Sequence, residues 1–366
     1  MPVKKNVLIL INNDVGMYKT KKETVEALLK DYEVYLSLPK GPYTDEFEKM
    51  GCHFVDTNIE RRGKNPITDM KLFFKYRAMI KRIKPICVLT YTIKPNIYGS
   101  LAARLQQIPV IMNVTGLGSG MDNKGVFQKL ISGLYTHSVK KSNVVFFQNS
   151  RNQEYFLKRI PKLGNGVLIP GSGVNLKEHM PLKFKDNQNM DFGFVGRVMK
   201  EKGVDELLIV AQELKVEGYK VDFHIAGFFD GNYQDKLEQL EAKGIIKYHG
   251  LVDDIDSFFG QIDCVVLPSY SEGMANVILE GAACTKPSIA SDIAGCKEAI
   301  DDGKSGFLCK VRDVDSLKDC MMKFINLTTE ERRQFGQLAR AKMEKCFDRE
   351  IVVNKYLEKI NEIEIK

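Results

Sequence analysis

The feature that most constrains the fold is a regular alternation of short apolar runs with amphipathic stretches of helical length. Strands separated by helices of this length predict right-handed crossovers and a parallel sheet. In the first half of the chain the apolar runs lie at residues 6–11, 33–38, 52–57, 87–92, 109–114, 144–149 and 167–170. Helices are expected at about 20–30, 43–50, 67–84 and 151–160, with a further helical region ending near residue 142.

The alternation stops at residues 181–190, which are polar and aperiodic, and then resumes. The second series of runs lies at residues 191–196, 221–227, 246–250, 264–269, 286–291 and 306–310. We therefore expect two α/β domains, 1–175 and 176–350, with residues 351–366 forming a helix that crosses back to the first domain. A ligand is expected between the domains, at the carboxyl ends of the strands.

Composition and charge narrow the class of protein. A chain of 366 residues with 44% hydrophobic and 28% charged residues is ordinary globular material, which argues against disorder or a fibrous scaffold and favours an enzyme. The formal charge of +7 is unevenly distributed, with net charges of 0 over residues 1–50, +14 over 51–180 and −7 over 181–366. The basic block indicates an anionic partner.

Targeting segments, disulfides and metal motifs are not evident. The apolar run Val7 to Ile11 is too short for a signal-peptide core, and nowhere do 18 consecutive apolar residues occur, so we expect a cytoplasmic protein. The eight cysteines include no CxxC pair, and the five histidines include no pair at ligand spacing. Buried free thiols and no structural metal are therefore expected.

The segment Pro268 to Ala283 is the most informative motif. It leaves an apolar strand and enters an amphipathic helix, with Glu272 just before the helix and Glu280 expected two turns into it. Backbone N–H groups of Gly273, Met274, Ala275 and Asn276 would form the helix N-terminus, which suits an anion. By spacing alone, a strand, a turn and a helix with two solvated glutamates is an equal alternative.

A second motif follows the strand that ends at Val195. Gly196 would let the backbone approach a ligand, and Arg197 and Lys202 would neutralise a diphosphate. The alternative is a basic surface turn. Taken with the two glutamates, these residues provide acceptors for sugar hydroxyls and donors for a diphosphate, the set needed to bind a nucleotide sugar.

At this point the chain resembles a known family. The order GRVMKEKG, YHGLVDD and PSYSEGMANVILEGAACTKPSIASDIAGCKEAIDDGKSGFL resembles the C-terminal half of family 4 glycosyltransferases. These are retaining enzymes of the GT-B fold, in which two Rossmann-like α/β domains with parallel sheets face each other across a cleft. The segments 92–105 and 113–120 are similar to the bacterial branch that extends polyprenyl-diphosphate-linked glycans.

The resemblance implies a role for each matching residue. Glu280 would bind the ribose hydroxyls, Glu272 the donor sugar, and Arg197 with Lys202 the departing diphosphate. Gly250 and Leu251 would edge the base, and Gly16 resembles a glycine loop that approaches the reacting centre. Many members have a histidine after the strand that ends at Val114. Here the segment Asn113 to Gly118 takes its place, leaving Thr115 or loop backbone as substitutes.

The implied function is transfer of a sugar, with N-acetylhexosamine favoured, from a UDP-sugar to a polyprenyl-diphosphate-linked saccharide. Lys94, Lys140 and Lys141 are candidates for the acceptor diphosphate. The resemblance implies a retaining reaction with no catalytic metal and no cofactor. One alternative is a GT-B-fold sugar-nucleotide epimerase, although the motifs offer no clear acid and base pair for it. Another is a non-catalytic membrane-associated scaffold, for which the complete set of site residues would have no use.

Two motifs favour a simpler interpretation. Gly116 to Gly120 lacks the full G-x-G-x-x-G spacing of a dinucleotide site. Asp253 to Asp256 resembles a D-x-D metal site, but a helix cap is the better interpretation. His137, His224 and His249 are each expected to be structural.

The basic block contains two helical stripes. Between Arg61 and Lys84 an apolar stripe accompanies a basic face, which is either solvated or docks on anionic lipid at the inner face of the cell membrane. A second stripe between Met121 and Ser142 is either core or an acceptor-side element. No nucleic-acid module is recognisable, so nucleic acid is not an expected partner.

Overall fold

The computed structural model describes residues 4–59, 65–116, 126–184 and 189–365. The chain divides into two compact units, the first comprising residues up to Ser172 together with Arg349 onwards, and the second Gly173–Asp348. Both divisions fall a few residues before the boundaries expected at 175 and 350. Each unit is built on its own parallel sheet.

The first unit contains a seven-stranded sheet in the order β3-β2-β1-β4-β5-β6-β7. Its strands are β1 Lys5–Leu10, β2 Tyr32–Leu38, β3 His53–Asp56, β4 Cys87–Tyr91, β5 Val110–Val114, β6 Val144–Phe147 and β7 Gly166–Leu168. The helices are α1 Asp14–Asp31, α2 Thr44–Lys49, α3 Pro66–Ile83, α4 Ser100–Arg104, α5 Val126–Lys141, α6 Ser150–Arg159 and, from the end of the chain, α13 Arg349–Ile365, with a π-helical turn at Pro95–Gly99.

Strand β1 shows why helices cover both faces of this sheet. Its side chains alternate, so Val7 and Ile9 enter the core that includes residues of α1 and α13, whereas Leu8 and Leu10 enter the core that includes residues of α3 and α5. All four side chains are fully buried. A continuous apolar run is what a parallel strand covered on both faces requires.

The second unit contains a six-stranded sheet in the order β10-β9-β8-β11-β12-β13. Its strands are β8 Met190–Val195, β9 Val221–Ala226, β10 Lys247–Tyr248, β11 Cys264–Leu267, β12 Ser288–Ser291 and β13 Gly306–Cys309. The helices are α7 Val204–Val216, α8 Gln234–Ala242, α9 Ile255–Phe259, α10 Asn276–Ala283, α11 Val314–Ile325 and α12 Thr329–Lys342, with a 3-10 turn at Lys200–Lys202 and a π-helical turn at Met343–Phe347.

Two helix starts differ from expectation. Helix α1 begins at Asp14 rather than near residue 20, because the Asn13 side chain accepts a hydrogen bond from the Gly16 N–H and caps the helix. Helix α10 begins at Asn276, so Gly273 and Met274 precede it and Glu280 lies one turn into it rather than two. At α1 a side-chain hydrogen bond, rather than the apolar pattern, sets the boundary.

The eight cysteines are all free, and all except Cys346 are buried, largely as the sequence predicted. Burial raises the pKa of the Cys87 thiol to about 12, which keeps it protonated. Among the described residues, no helix combines the length and the apolar character needed to cross a bilayer.

Candidate functional site

The sheet order of the second unit brings the two sequence motifs together. Strands β8 and β11 are hydrogen-bonded neighbours, with Cys264 opposite Phe192 and Val265 opposite Gly193. The chain leaves β8 toward β9 on one side, whereas β11 is followed by β12 on the other. Their carboxyl ends therefore flank the position where the strand order reverses, which is where open α/β sheets bind ligands.

An ion pair joins the motifs at this position. Lys202 Nζ lies 2.5 Å from Glu272 Oε1, and the two side chains are only 20% and 11% exposed. Lys202 comes from the turn after β8, and Glu272 from the segment between β11 and α10. The pair places a cation and a carboxylate side by side at the carboxyl edge of the sheet. An ammonium has three donors, so it retains capacity for a further acceptor.

The turn that carries Lys202 depends on Gly203. This residue has φ +71°, and a Cβ there would lie 2.1 Å from the Pro268 carbonyl oxygen. The Tyr270 N–H also donates to the Glu201 carbonyl at 2.9 Å. Glycine is therefore required both by the backbone conformation and by the close approach of the two segments.

Gly295 holds the entry to α10 in a similar way. The Ala275 N–H donates to its carbonyl at 2.9 Å, and a Cβ on Gly295 would lie 2.8 Å from the Gly273 oxygen. Ala275 provides no side-chain cap for the helix. The first N–H groups of α10 are thus not capped by the preceding side chain, and the helix N-terminus carries the partial positive charge that favours an anion.

Arg197 and the glycines beside it form a second part of the site. Arg197 Nη1 donates to Asp230 Oδ2 at 2.7 Å, and the arginine side chain remains 40% exposed. A Cβ on Gly227 would lie 1.7 Å from the Gly196 oxygen, and the Gly227 N–H donates to the Gly250 carbonyl at 2.7 Å. Gly196, Gly227 and Gly250 therefore lie close together after β8, β9 and β10, respectively. Gly196 and Gly250 are predicted site residues.

Several side chains at this edge were not found from the sequence. Tyr270 donates to Glu206 Oε1 at 2.7 Å, and burial followed by this hydrogen bond raises the pKa of Tyr270 to about 12. The Arg312 guanidinium lies 4.4 Å from the centre of the Tyr270 ring. Tyr270 lies within the motif, but its partners Glu206 and Arg312 are distant in sequence and belong to no motif. Asp230 was missed for the same reason.

The remaining predicted residues of the second unit occupy different surroundings. Glu280 is half-buried on α10, as is Met274 before it. Leu251 is 73% exposed. Asp254 caps α9 by accepting from the Ser257 N–H at 3.1 Å, so the helix-cap interpretation of that acidic segment is confirmed.

In the first unit, the predicted residues follow different strands. Gly16 lies in the first turn of α1 and not in a loop, a correction that follows from the Asn13 cap. Thr115 is half-buried just after β5. Lys94 follows β4, but its Nζ is 2.7 Å from Asp69 Oδ1 in a pair that is 15% and 7% exposed. Asp69 therefore already neutralises the ammonium proposed for an acceptor phosphate.

Two of the histidines named from the sequence bond to each other, and the apolar stripe of α5 is partly buried. His224 is buried and bonded to Asp191, 3.0 Å away, and to His249; burial and His224 lower the pKa of His249. In α5, Tyr135 is buried and Leu130 is 59% exposed. Residues 60–64 and 117–125 lie outside the described residues, and with them Arg61 and most of the glycine-rich segment.

Two family models match the chain. The model described as "Glycosyl transferases group 1" matches residues 177–342, and "Glycosyl transferase 4-like" matches residues 6–149. They correspond to the second and first units, respectively. Between them they span most of the chain.

Relatives of similar length carry related names. The chain is 28% identical over 362 residues to the N,N'-diacetylbacillosaminyl-diphospho-undecaprenol α-1,3-N-acetylgalactosaminyltransferase of Campylobacter jejuni, covering 93% of this chain and 94% of that one. It is 26% identical over 302 residues to the Escherichia coli UDP-Gal:α-D-GlcNAc-diphosphoundecaprenol α-1,3-galactosyltransferase, covering 77% of each chain.

Solved structures share the fold at low identity. Anabaena HepE in complex with UDP and glucose aligns with TM-score 0.80 and 16% identity over 98% of this chain and all of that one. The sucrose-phosphate synthase of Thermosynechococcus elongatus aligns with TM-score 0.82 and 17% identity over 99% of each chain. The predicted GT-B fold class is confirmed, and the chain belongs to the family 4 glycosyltransferases.

Proposed function

We propose that this glycosyltransferase moves a sugar, with N-acetylhexosamine favoured, from a UDP-sugar to a polyprenyl-diphosphate-linked saccharide during surface-glycan synthesis. The observation that carries the proposal is the Lys202–Glu272 pair beside the uncapped start of α10. The names of the Campylobacter and Escherichia relatives support a lipid-linked acceptor. The UDP in the Anabaena HepE complex supports a UDP-linked donor.

In the proposed donor complex, the diphosphate binds Lys202, Arg197 and the N–H groups of Gly273, Met274 and Asn276, while the Ala275 N–H keeps its bond to the Gly295 carbonyl. Lys202 would then share its donors between Glu272 and a phosphate oxygen, and Arg197 would either keep or exchange its bond to Asp230. Glu272 accepts from hydroxyls of the donor sugar, and Glu280 from the ribose. Gly196, Gly250 and Leu251 lie where three strand ends meet and would border the nucleoside.

The proposed reaction is a retaining transfer. The anomeric bond breaks toward an oxocarbenium-like state while the cations stabilise the charge on the departing diphosphate. The acceptor hydroxyl enters from the same face and gives its proton to a phosphate oxygen. This course needs neither a protein nucleophile nor the closely spaced carboxylate pair of a retaining glycosidase. We propose that it needs no catalytic metal.

We further propose that the first unit holds the acceptor and docks on the inner face of the cell membrane. Thr115 and Lys94 are assigned to the acceptor side, with Lys94 exchanging Asp69 for an acceptor phosphate. On α3, Ile67, Met70 and Phe74 are 68%, 55% and 54% exposed and recur at helical spacing.

Exposed basic residues lie on the same helix or directly after it, namely Lys71, Lys75, Arg77, Lys81, Arg82 and Lys84. The one acidic residue of α3, Asp69, is buried against Lys94. Apolar side chains beside unopposed positive charge are suited to an anionic bilayer surface.

The test is a panel of nucleotide sugars incubated with purified protein, with and without a lipid-linked saccharide. We expect release of UDP that depends on the acceptor, and a product whose anomeric proton coupling shows retention. An epimerase would instead convert the sugar nucleotide to an isomer without an acceptor. A scaffold would do neither, and either result would contradict the proposal.

A further inference from the structure

Three side chains that are far apart in the sequence meet in the second unit, away from the motifs described above. They are His179, in the segment before β8, Asp256, in the first turn of α9, and Cys284, directly after α10. His179 Nδ1 lies 2.7 Å from Asp256 Oδ1, and Cys284 Sγ lies 3.4 Å from the same oxygen. All three atoms lie within 4.8 Å of one another.

Two of these three residues are buried, and the third is partly exposed. His179 is 7% exposed and Cys284 fully buried, whereas the Asp256 side chain is 28% exposed. The carboxylate thus forms the boundary between the buried pair and solvent.

Two of the three distances between the ligand atoms can be compared with those of a tetrahedral zinc site, and the third is at most 4.8 Å. Zinc bonds of about 2.1 Å to nitrogen or oxygen and about 2.3 Å to sulfur place neighbouring ligand atoms roughly 3.3–3.7 Å apart. The sulfur–oxygen distance of 3.4 Å is already in this range, and the nitrogen–oxygen distance of 2.7 Å must widen by roughly 0.6 Å.

We propose that His179, Asp256 and Cys284 bind one zinc ion, with water at the fourth position. On binding, the Cys284 thiol releases its proton to solvent, and the His179 proton moves from Nδ1 to Nε2 so that the Nδ1 lone pair faces the ion. One carboxylate and one thiolate then balance the two positive charges. Mixed nitrogen, oxygen and sulfur ligands favour zinc over magnesium or calcium.

The position of the triad indicates a structural role for the ion. Arg340, on α12, already bridges two of the ligand segments, with Nη1 2.7 Å from the His179 carbonyl and 2.8 Å from the Ala283 carbonyl. Zinc would add a second bridge between the segment before β8 and the end of α10. The ion therefore stabilises the second unit where these segments join, and its binding is independent of the proposed transfer reaction.

The test uses the purified full chain, stripped of metal and titrated with cobalt(II) as a spectroscopic substitute for zinc. We expect one equivalent to bind, with a thiolate-to-cobalt charge-transfer band and the intense visible bands of a tetrahedral site. Zinc should displace the cobalt and raise Tm in a concentration-dependent manner. Cys284→Ser should abolish the charge-transfer band, and Asp256→Asn and His179→Gln should each weaken binding at least tenfold.

Cys346→Ser is the matched control, because Cys346 is an exposed thiol outside the triad. It should leave the band and the affinity unchanged. Absence of the band in wild-type protein, its persistence in Cys284→Ser, or its loss in Cys346→Ser would each overturn the proposal. If Cys284→Ser fails to fold, the cobalt affinity of Asp256→Asn is the deciding measurement. A wild-type affinity in that variant would overturn the proposal.

Discussion

Lys202 and Glu272 are 70 residues apart in the sequence, yet their charged atoms lie 2.5 Å apart at the edge of the second sheet. The contact exists because β8 and β11 are neighbours and because Gly203 lets the turn after β8 lie against Pro268. Each charge thus holds the other in place before any substrate arrives. In the proposed reaction, a lysine that is already held in place would need little reorganisation when negative charge develops on the leaving group.

Replacing either member of this pair is expected to reduce transfer strongly. Lys202→Met, Glu272→Gln and Glu272→Ala should each lower kcat/KM by about 10²–10³, because each loses a group proposed to contact the donor. The Lys202→Met/Glu272→Gln double variant should lose less than the product of the two single effects, since both act on one donor. Initial rates of UDP release measure this.

The matched controls are Lys200→Met and Glu201→Gln, which change exposed charges in the same turn. They should stay within about twofold of wild type. Full activity of Glu272→Ala with retained folding would contradict the site assignment, whatever the effect of the lysine substitution.

Gly203→Ala should destabilise the protein more than a positive φ alone explains. The added Cβ would meet the Pro268 oxygen at 2.1 Å, so we expect a loss of at least about 3 kcal/mol in the free energy of unfolding. Gly244 has nearly the same backbone conformation, φ +68°, with no atom within 4 Å of the added Cβ. Gly244→Ala should therefore cost only about 1 kcal/mol. Equal losses in urea unfolding would refute the close-approach argument.

Stability should depend on pH through Lys21. Burial, followed by the nearby Arg349 charge, lowers the pKa of Lys21 to about 7 from its usual 10.5, and its Nζ donates to Ser172. Between these values the unfolded chain binds more protons than the folded one, so the free energy of unfolding should rise with pH. Below pH 7 the folded state carries the full penalty, up to roughly 5 kcal/mol.

Lys21→Met should remove this slope and stabilise the protein most near pH 6. Urea unfolding at pH 6, 7, 8 and 9 measures it, with Lys22→Met as the control because Lys22 is a more exposed neighbour paired only at 4.0 Å with Glu26. An unchanged slope in Lys21→Met would show that another group is responsible.

Binding to anionic vesicles should depend on the outer face of α3. The triple variant Ile67→Ser/Met70→Ser/Phe74→Ser should reduce co-sedimentation with phosphatidylglycerol vesicles at least tenfold, and salt should weaken the wild-type interaction. The control is Val216→Ser, which removes a side chain that is 85% exposed in the second unit. Equal binding by wild type and the triple variant at low salt would leave this face simply solvated.

Removal of metal by a chelator should affect thermal stability but not the transfer rate. After EDTA treatment we expect the transfer rate to stay nearly unchanged, since the proposed reaction uses cationic side chains at the diphosphate. The thermal midpoint should fall if zinc had been bound by His179, Asp256 and Cys284. A loss of rate that magnesium restores would contradict the metal-independent mechanism.

The strands and the two motifs could be predicted from the sequence because both depend on local pattern. The run Val7 to Leu10 and the glycines at strand ends can be recognised in the sequence without knowing which strands become neighbours. The salt bridge of Lys94 to Asp69 and that of Arg197 to Asp230 could not be predicted, because those contacts depend on which strands become neighbours. The start of α1 was misplaced for a smaller reason, since one asparagine cap outweighed the apolar periodicity.

The expectation of no structural metal rested on ligand pairs close together along the chain, whereas His179, Asp256 and Cys284 are separated by 77 and 28 residues. Only the packing of α9 and α10 against the segment before β8 brings them together.

The return of the chain to the first unit has a consequence for its biosynthesis. Val352, Tyr356 and Ile360 of α13 are fully buried in a core that also contains Val7 and Ile9, and the Tyr356 hydroxyl donates to the buried Asn113. A ribosome makes these residues after the whole of the second unit, which spans Gly173–Asp348. During translation, the sheet face of the first unit that α13 covers therefore stays without this helix until the second unit has been synthesised.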